Sequence, residues 1–197
     1  MRLLVHTCCA NCLADGLESL RGKADDVAAY WFNPNIHPLL EYRKRLKSVK
    51  LLAGRLGLDL EADETDEGYG LARFLEEAAG IGDQRCERCH TMRLKAAAAE
   101  AARRGFDAFA TTLTVSPYQD HESLRRAGAA AAAESGVEFL YEDLRELHDK
   151  AGALPKGLKL YRQQYCGCVF SEEERYRDTG VGLLRPGGNV AVNGGVR

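Results

Sequence analysis

The chain lacks any long apolar run. No segment approaches the ~20 apolar residues a membrane span requires, and the stretch "MRLLVHTCC" is too short for a signal peptide. Those absences predict a cytoplasmic protein with no membrane attachment. A strong excess of charge of one sign is also missing. A net charge of −2, from 27 basic and 29 acidic residues, argues against a nonspecific nucleic-acid coat while leaving room for a local basic patch. The loop after the first predicted strand has no glycine-rich phosphate cradle, so ATP or a dinucleotide is not expected there. What remains is the profile of a soluble globular domain, with 45% apolar and 28% charged residues in a chain of 197. Such a length buries a core without staples. The seven cysteines are therefore not needed as a disulfide scaffold, and their odd count argues the same way. In a reducing cytoplasm they stay thiols unless they bind metal or do redox chemistry.

Short apolar runs alternate with helical patterns. Strands are predicted at Leu3–His6, Val27–Phe32, Leu58–Ala62, Phe106–Thr111 and Val137–Tyr141. Helices are predicted at Cys12–Leu20, Leu39–Leu56, Gly70–Ala79, Arg88–Arg103 and His121–Glu134. Strands separated by helices of this length imply βαβ crossovers and a parallel sheet of about five strands, hence a three-layer Rossmann-like α/β domain. The alanine-rich segments "KAAAAEAARR" and "RRAGAAAAAESG" read as tight helices packed on the sheet, stopped by Gly105 and Gly136. After Tyr141 the alternation gives way to an irregular region with one helix candidate, Gly157–Gln164, and then a glycine-rich tail. The domain is placed at residues 1–178 and the tail at 179–197. Ligands bind such sheets at the carboxyl ends of strands, where strand order reverses. Cys8 and Cys9 fall just past strand one, Asn33 and Asn35 past strand two, and Thr112 to Tyr118 past strand four.

The thiols come in three patterns: "CCANC" with Cys8, Cys9 and Cys12, "RCERCH" with Cys86 and Cys89, and "YCGC" with Cys166 and Cys168. A CxxC at a helix start sets two sulfurs one turn apart, where backbone N–H groups and the helix dipole favour thiolates. Joined to Cys8 and Cys9, it makes four sulfur ligands from two segments. That set suits an iron–sulfur cluster or zinc, and dithiol redox chemistry is the third reading. A CxC disulfide is strained and easily reduced, so Cys166 and Cys168 are read as a redox disulfide. The plainer reading is two more metal ligands or free buried thiols.

Other motifs have both a functional and an ordinary explanation. In "WFNPNIHP", the groups of Asn33, Asn35 and His37 are candidate ligand contacts, although Asn and Pro also simply make turns. "EYRKRLKSVK" sets Arg43, Arg45, Lys47 and Lys50 on one helix, as a solvated face also would. "TTLTVSPYQD" places Tyr118 near the expected edge as a candidate catalytic group. "PKGLKLYRQQYCGC" mixes Lys156, Lys159, Tyr161 and Arg162, which suits nucleic acid.

Together, "HTCCANC", "YWFNPNIHPLLEYRKR", "RCERCHTMRL", "TTLTVSPYQDH" and "LYRQQYCGCVFS" resemble the QueH-type epoxyqueuosine reductases, in that family's order and from Leu3 to about Ser171. The resemblance implies a HUP-like α/β domain whose phosphate loop is replaced by cysteines. It implies reduction of epoxyqueuosine at the tRNA wobble position, the last step of queuosine synthesis, without cobalamin. A [4Fe–4S] cluster and an adjacent metal ion, iron, come with it. On this chain Cys8, Cys9, Cys86 and Cys89 would hold the cluster, and Cys12 the neighbouring iron. The tRNA anticodon loop would meet Asn33, Asn35, His37, Arg43, Arg45, Lys156 and Arg162, and an electron donor is required. Asn11 stands where the family usually has proline, and His90 where an aromatic is common. Rival readings are a zinc-stabilised tRNA-binding module and a thiol-disulfide oxidoreductase.

Overall fold

The computed structural model describes residues 1–62, 66–78, 82–150 and 158–177. Both Lys156 and the glycine-rich tail lie outside the described residues. Side-chain alternation along β1 (Arg2–His6) explains the layering, because successive residues point to opposite faces of a strand. Leu4 joins Ala28 and Phe109 on one face. Leu3 and Val5 join Ala108 and Ala110 on the other, next to a cluster holding Ala29 and Trp31. Both faces are apolar, as expected for a parallel sheet covered on both sides.

The elements follow in the order β1, α1 (Ala10–Arg21), β2 (Asp26–Trp31), α2 (Leu39–Leu56), β3 (Leu60–Ala62), α3 (Asp66–Tyr69), α4 (Leu71–Ala78), α5 (Arg85–Arg104), β4 (Ala108–Thr111), α6 (His121–Ser135), β5 (Glu138–Phe139) and α7 (Val169–Tyr176). Every strand pairing is parallel, in the order β3-β2-β1-β4-β5. The Rossmann-like, five-stranded expectation is met. Leu13, Leu17, Val49 and Leu52 of α1 and α2 cover one face. Leu94, Ala97, Ala101, Leu124, Ala127 and Ala131 of α5 and α6 cover the other. The alanine runs let α5 and α6 lie close to each other and to the sheet. At Gly128 an added Cβ would fall 2.0 Å from Cε1 of Phe139, so the position admits no side chain without repacking. Gly57, Gly105 and Gly136 close α2, α5 and α6 in left-handed conformation.

The helix expected at Gly157–Gln164 does not form. Gly157 lies outside the described residues, and 158–164 carry no helix. Their polar groups go to other elements instead. The Tyr161 N–H donates to Ser48 Oγ at 3.1 Å, and the Tyr161 carbonyl accepts from Asn11 Nδ2 at 2.9 Å. The edge strands β3 and β5 are shorter than their apolar runs, and among the described residues each has a partner on one side only.

Candidate active site

Strand order reverses between β1 and β4: the chain runs outward through β2 and β3, then returns to the far side of β1. This is the switch point where an α/β sheet opens a crevice. Cys8 and Cys9 leave β1 into that crevice. The Cys8 N–H donates to Thr112 Oγ1 at 3.0 Å, and the same hydroxyl donates to Cys8 Sγ at 3.2 Å. Thr112, directly past β4, thus clasps Cys8 across the crevice. Cys9 is the N-cap of α1, its sulfur accepting from the Cys12 N–H at 3.1 Å. A cap residue and the third helical residue beyond it share a helix end, so the fold itself brings the three sulfurs together. Cys8, Cys9 and Cys12 lie within 4.8 Å of one another, the one such His, Cys, Asp or Glu grouping among the described residues.

Electrostatics within the triad are asymmetric. Hydrogen bonds from Cys12 and Cys9 hold the Cys8 thiol well below the ordinary range against the opposing effect of burial, with help from the Arg93 charge and Thr112. The Cys12 hydrogen bond pulls Cys9 down, but donation to Cys8 and burial outweigh it and push Cys9 up to about 12. Donation to Cys8 and to Cys9, together with burial, pushes Cys12 well up. Cys8 is therefore the most readily ionised of the three thiols, with Cys9 and Cys12 donating to it.

A buried polar knot backs the triad. His6 closes β1 and pairs through Nδ1 with Thr111 Oγ1 at 2.8 Å. Arg93 of α5 donates from Nε to His6 Nε2 at 3.3 Å, from Nη2 to Asn33 Oδ1 at 2.6 Å, and from Nη1 to Cys89 Sγ at 3.9 Å. Asn33 in turn donates to the Thr7 carbonyl at 2.9 Å. Burial, then the Arg93 charge, lowers His6 to about 3. The ring is therefore neutral. Its Nε2 lies within hydrogen-bond distance of both the Arg93 Nε–H, which can only donate, and the Phe32 carbonyl at 3.2 Å, which can only accept.

The sequence matches the family described as Epoxyqueuosine reductase QueH over residues 3–174. The chain belongs to this family. The Epoxyqueuosine reductase QueH of Dehalococcoides mccartyi is 40% identical over 175 residues, covering 89% of this chain and 94% of that protein. Its namesake from Thermotoga maritima is 34% identical over 180 residues, covering 88% and 91%. The one from Helicobacter pylori, 36% identical over 186 residues, is longer, and the match spans 49% of it.

In this QueH-family chain the remaining sequence-predicted residues fall into distinct settings. Cys86 is exposed in the first turn of α5, and Cys89 is half-buried one turn on. Burial and the nearby Cys166 raise Cys86. Burial takes Cys89 up to about 12, against the pull of Arg93. The disulfide expected between Cys166 and Cys168 is absent, since both thiols are free. The two sulfurs serve different partners: Cys168 caps α7 by accepting from the Ser171 N–H at 3.4 Å, and Cys166 accepts from Gln119 Nε2 at 3.6 Å. Gly167, at φ 137°, turns the chain between them.

Asn35 and His37 are buried in the turn after β2, where Asn35 Oδ1 and His37 Nε2 have no hydrogen-bond partner. Tyr118 stands at the rim, 86% exposed. Arg43 and Lys47 are exposed on α2. Arg45 departs from the surface cluster expected for it. It is 2% exposed, with Nε on Glu41 Oε1 at 2.7 Å and its two Nη atoms on the Cys166 and Tyr165 carbonyls at 2.9 Å each. Its guanidinium is an internal tether for the segment carrying Cys166. Arg162 pairs with Asp149 at the surface. His90 is buried between Ser123 Oγ at 2.9 Å and Gln119 Oε1 at 3.0 Å. Sequence reading passes over Arg93 and His6, and places Thr112 at the edge without a role. A signal exists for Arg93, which lies four residues after Cys89 and so on the same helical face.

Among the described residues, no helix is long and apolar enough to cross a membrane.

Proposed function

We propose that this protein reduces the epoxide of epoxyqueuosine at the wobble position of tRNA, the final step of queuosine synthesis, without cobalamin and in the cytoplasm. The observation that carries this reading is the Cys8, Cys9 and Cys12 triad at the sheet's switch point, in a chain of the QueH family. The reaction converts an epoxide to an alkene and water, and consumes two electrons and two protons. An external electron donor supplies the electrons. The catalytic unit is 1–178, with 179–197 as an appended tail.

The residues present fit a sulfur-bound metal: three clustered thiols, one of them disposed to be a thiolate, with no carboxylate among them. In this reading Cys8 and Cys9, with Cys86 and Cys89 of α5, hold a [4Fe–4S] cluster, and Cys12 holds an adjacent iron. The bound group supplies single-electron transfer and a Lewis acid for the epoxide oxygen.

The chain's own groups bind and orient the substrate. The anticodon loop is single-stranded, so its modified base can be splayed out and delivered to a crevice. Tyr118 offers an exposed ring for stacking and a phenol as a proton donor at the rim. Asn35 Oδ1 and His37 Nε2 are buried polar atoms without a hydrogen-bond partner, next to the 165–167 segment whose Gly167 carbonyl accepts from the His37 N–H. Arg43 and Lys47 on α2, with Lys156 and Arg162, which precede the cysteine pair in sequence, meet phosphates. Arg45 supports that surface from beneath.

Anaerobic purification tests the proposal. The expected protein is brown, contains iron and sulfide, and converts epoxyqueuosine-tRNA to queuosine-tRNA when given a reductant. Colourless protein with one zinc per chain and no turnover would overturn it in favour of a binding module.

A further inference from the structure

Arg93 is a cation sealed in the core, 2% exposed, and no carboxylate faces it among the described residues. This is unusual. Buried arginines almost always meet an acid, because an uncompensated buried charge is expensive. Arg45 shows the ordinary arrangement in the same molecule, equally buried but paired with Glu41. The guanidinium fork of Arg93 instead reaches three residues that line the site from three elements: His6 at the end of β1, Asn33 after β2 and Cys89 on α5. His6 and Asn33 are neutral, so of the three only Cys89 can carry a balancing negative charge, as the thiolate it becomes on binding a metal.

We propose that Arg93 is a positioning residue of the sulfur site, acting as its fixed internal counter-charge and holding Cys89 against the carboxyl ends of β1 and β2. Resting on the metal-binding reading above, the assignment specifies which group makes that site tolerable inside a protein core. Several thiolates around a metal carry excess negative charge, and the charge is offset here from behind, away from the open crevice. A fixed cation behind the ligands also leaves the crevice side free for substrate. Asn33 contributes by being an amide. Its oxygen accepts from the fork without neutralising it, and its Nδ2 anchors to the Thr7 carbonyl.

The test is cobalt(II) binding to the metal-free protein under anaerobic conditions, read from the thiolate-to-cobalt charge-transfer band. This measurement needs neither an assembled cluster nor turnover. Arg93→Gln is expected to weaken cobalt affinity roughly 10- to 100-fold, the range for partners that support metal ligands from behind. Arg93→Lys, which keeps the charge and loses the fork, should recover part of that affinity. Asn33→Asp provides a second route that keeps the arginine: a carboxylate on the fork neutralises Arg93 in place, and cobalt binding should weaken again. This variant decides the matter if Arg93→Gln does not fold. Unchanged cobalt affinity in a folded Arg93→Gln protein, or in Asn33→Asp, would overturn the role of Arg93 alone. A wild-type protein that gives no thiolate-to-cobalt band would overturn both the metal site and the counter-charge.

Discussion

Each cysteine in this chain has its own surroundings, and identical thiols are expected to respond differently to the same substitution. Serine is a hard, poor ligand for iron–sulfur chemistry at neutral pH. Cys86→Ser is therefore expected to lose iron and sulfide, because its sulfur is assigned to the cluster. Cys12→Ser should keep the four-iron absorption and lose turnover, because Cys12 is assigned to the adjacent iron. Iron and sulfide analysis with a visible spectrum separates the two. Full metal retention in Cys86→Ser would remove Cys86 from the ligand set, and loss of the whole cluster in Cys12→Ser would add Cys12 to it. The thiols of Cys166 and Cys168 lie on opposite sides of a glycine turn, each with its own hydrogen-bond donor.

At the level of elements, the close approach of α6 to the sheet depends on one missing side chain. Gly128 faces the Phe139 ring of β5, where a methyl group would sit 2.0 Å from a ring carbon. Gly128→Ala adds helix propensity worth about 1 kcal/mol, but overpacking against an aromatic ring costs about 1–3 kcal/mol. Net destabilisation is the expected result, measured by denaturant unfolding. A Gly128→Ala, Phe139→Leu double variant should recover part of the stability, because the smaller side chain makes room. Additive effects in that cycle would mean that the ring already yields. The segment 158–168 is an element of another kind. It has no ladder of its own and is fastened by Asn11, Ser48 and Arg45.

For the whole molecule, charge is the governing quantity, and two measurements address it. Arg43 and Lys47 are exposed on α2, and reversing both to glutamate should weaken tRNA binding. The salt dependence should also become shallower, by about 0.7 in the log–log slope for each single-strand phosphate that is no longer neutralised. Reduction of the free epoxyqueuosine nucleoside, where accepted, should change little. An unaltered slope would place the tRNA on another face. The second measurement is acid stability. Burial lowers His6 to about 3, and His37 and His90 to about 4, from an ordinary 6.5. The unfolded chain then binds protons that the folded chain refuses. Stability is full above about pH 6.5 and falls as the pH drops toward 4. Melting curves between about pH 7.5 and 5 should show that decline, and a His6→Asn variant should show a shallower one. A flat melting temperature over that range would mean that the rings carry charge in the folded state.

Local pattern was enough to specify the parallel α/β architecture. Apolar runs of strand length, helical spacing of leucines and alanines, and glycine stops are all short-range signals. Cys8, Cys9 and Cys12 were legible for the same reason, since a strand end and a helix start that follow one another in sequence are neighbours in space. Residues 158–164 look helical in sequence but are not, because their backbone partners, Asn11 and Ser48, lie more than a hundred residues away. Arg45 illustrates the same limit: its sequence neighbours make it look like part of a basic face, while Glu41 and the 165–166 carbonyls draw it inside. Spacing from Cys89 puts Arg93 on the same helical face, but only the tertiary structure assigns its role. Whether an arginine meets water, a carboxylate or sulfur depends on which elements close around it, and His6, Asn33 and Cys89 come from three different ones. Charge compensation in a core is a property of the assembled layers, and no local window of the sequence contains it.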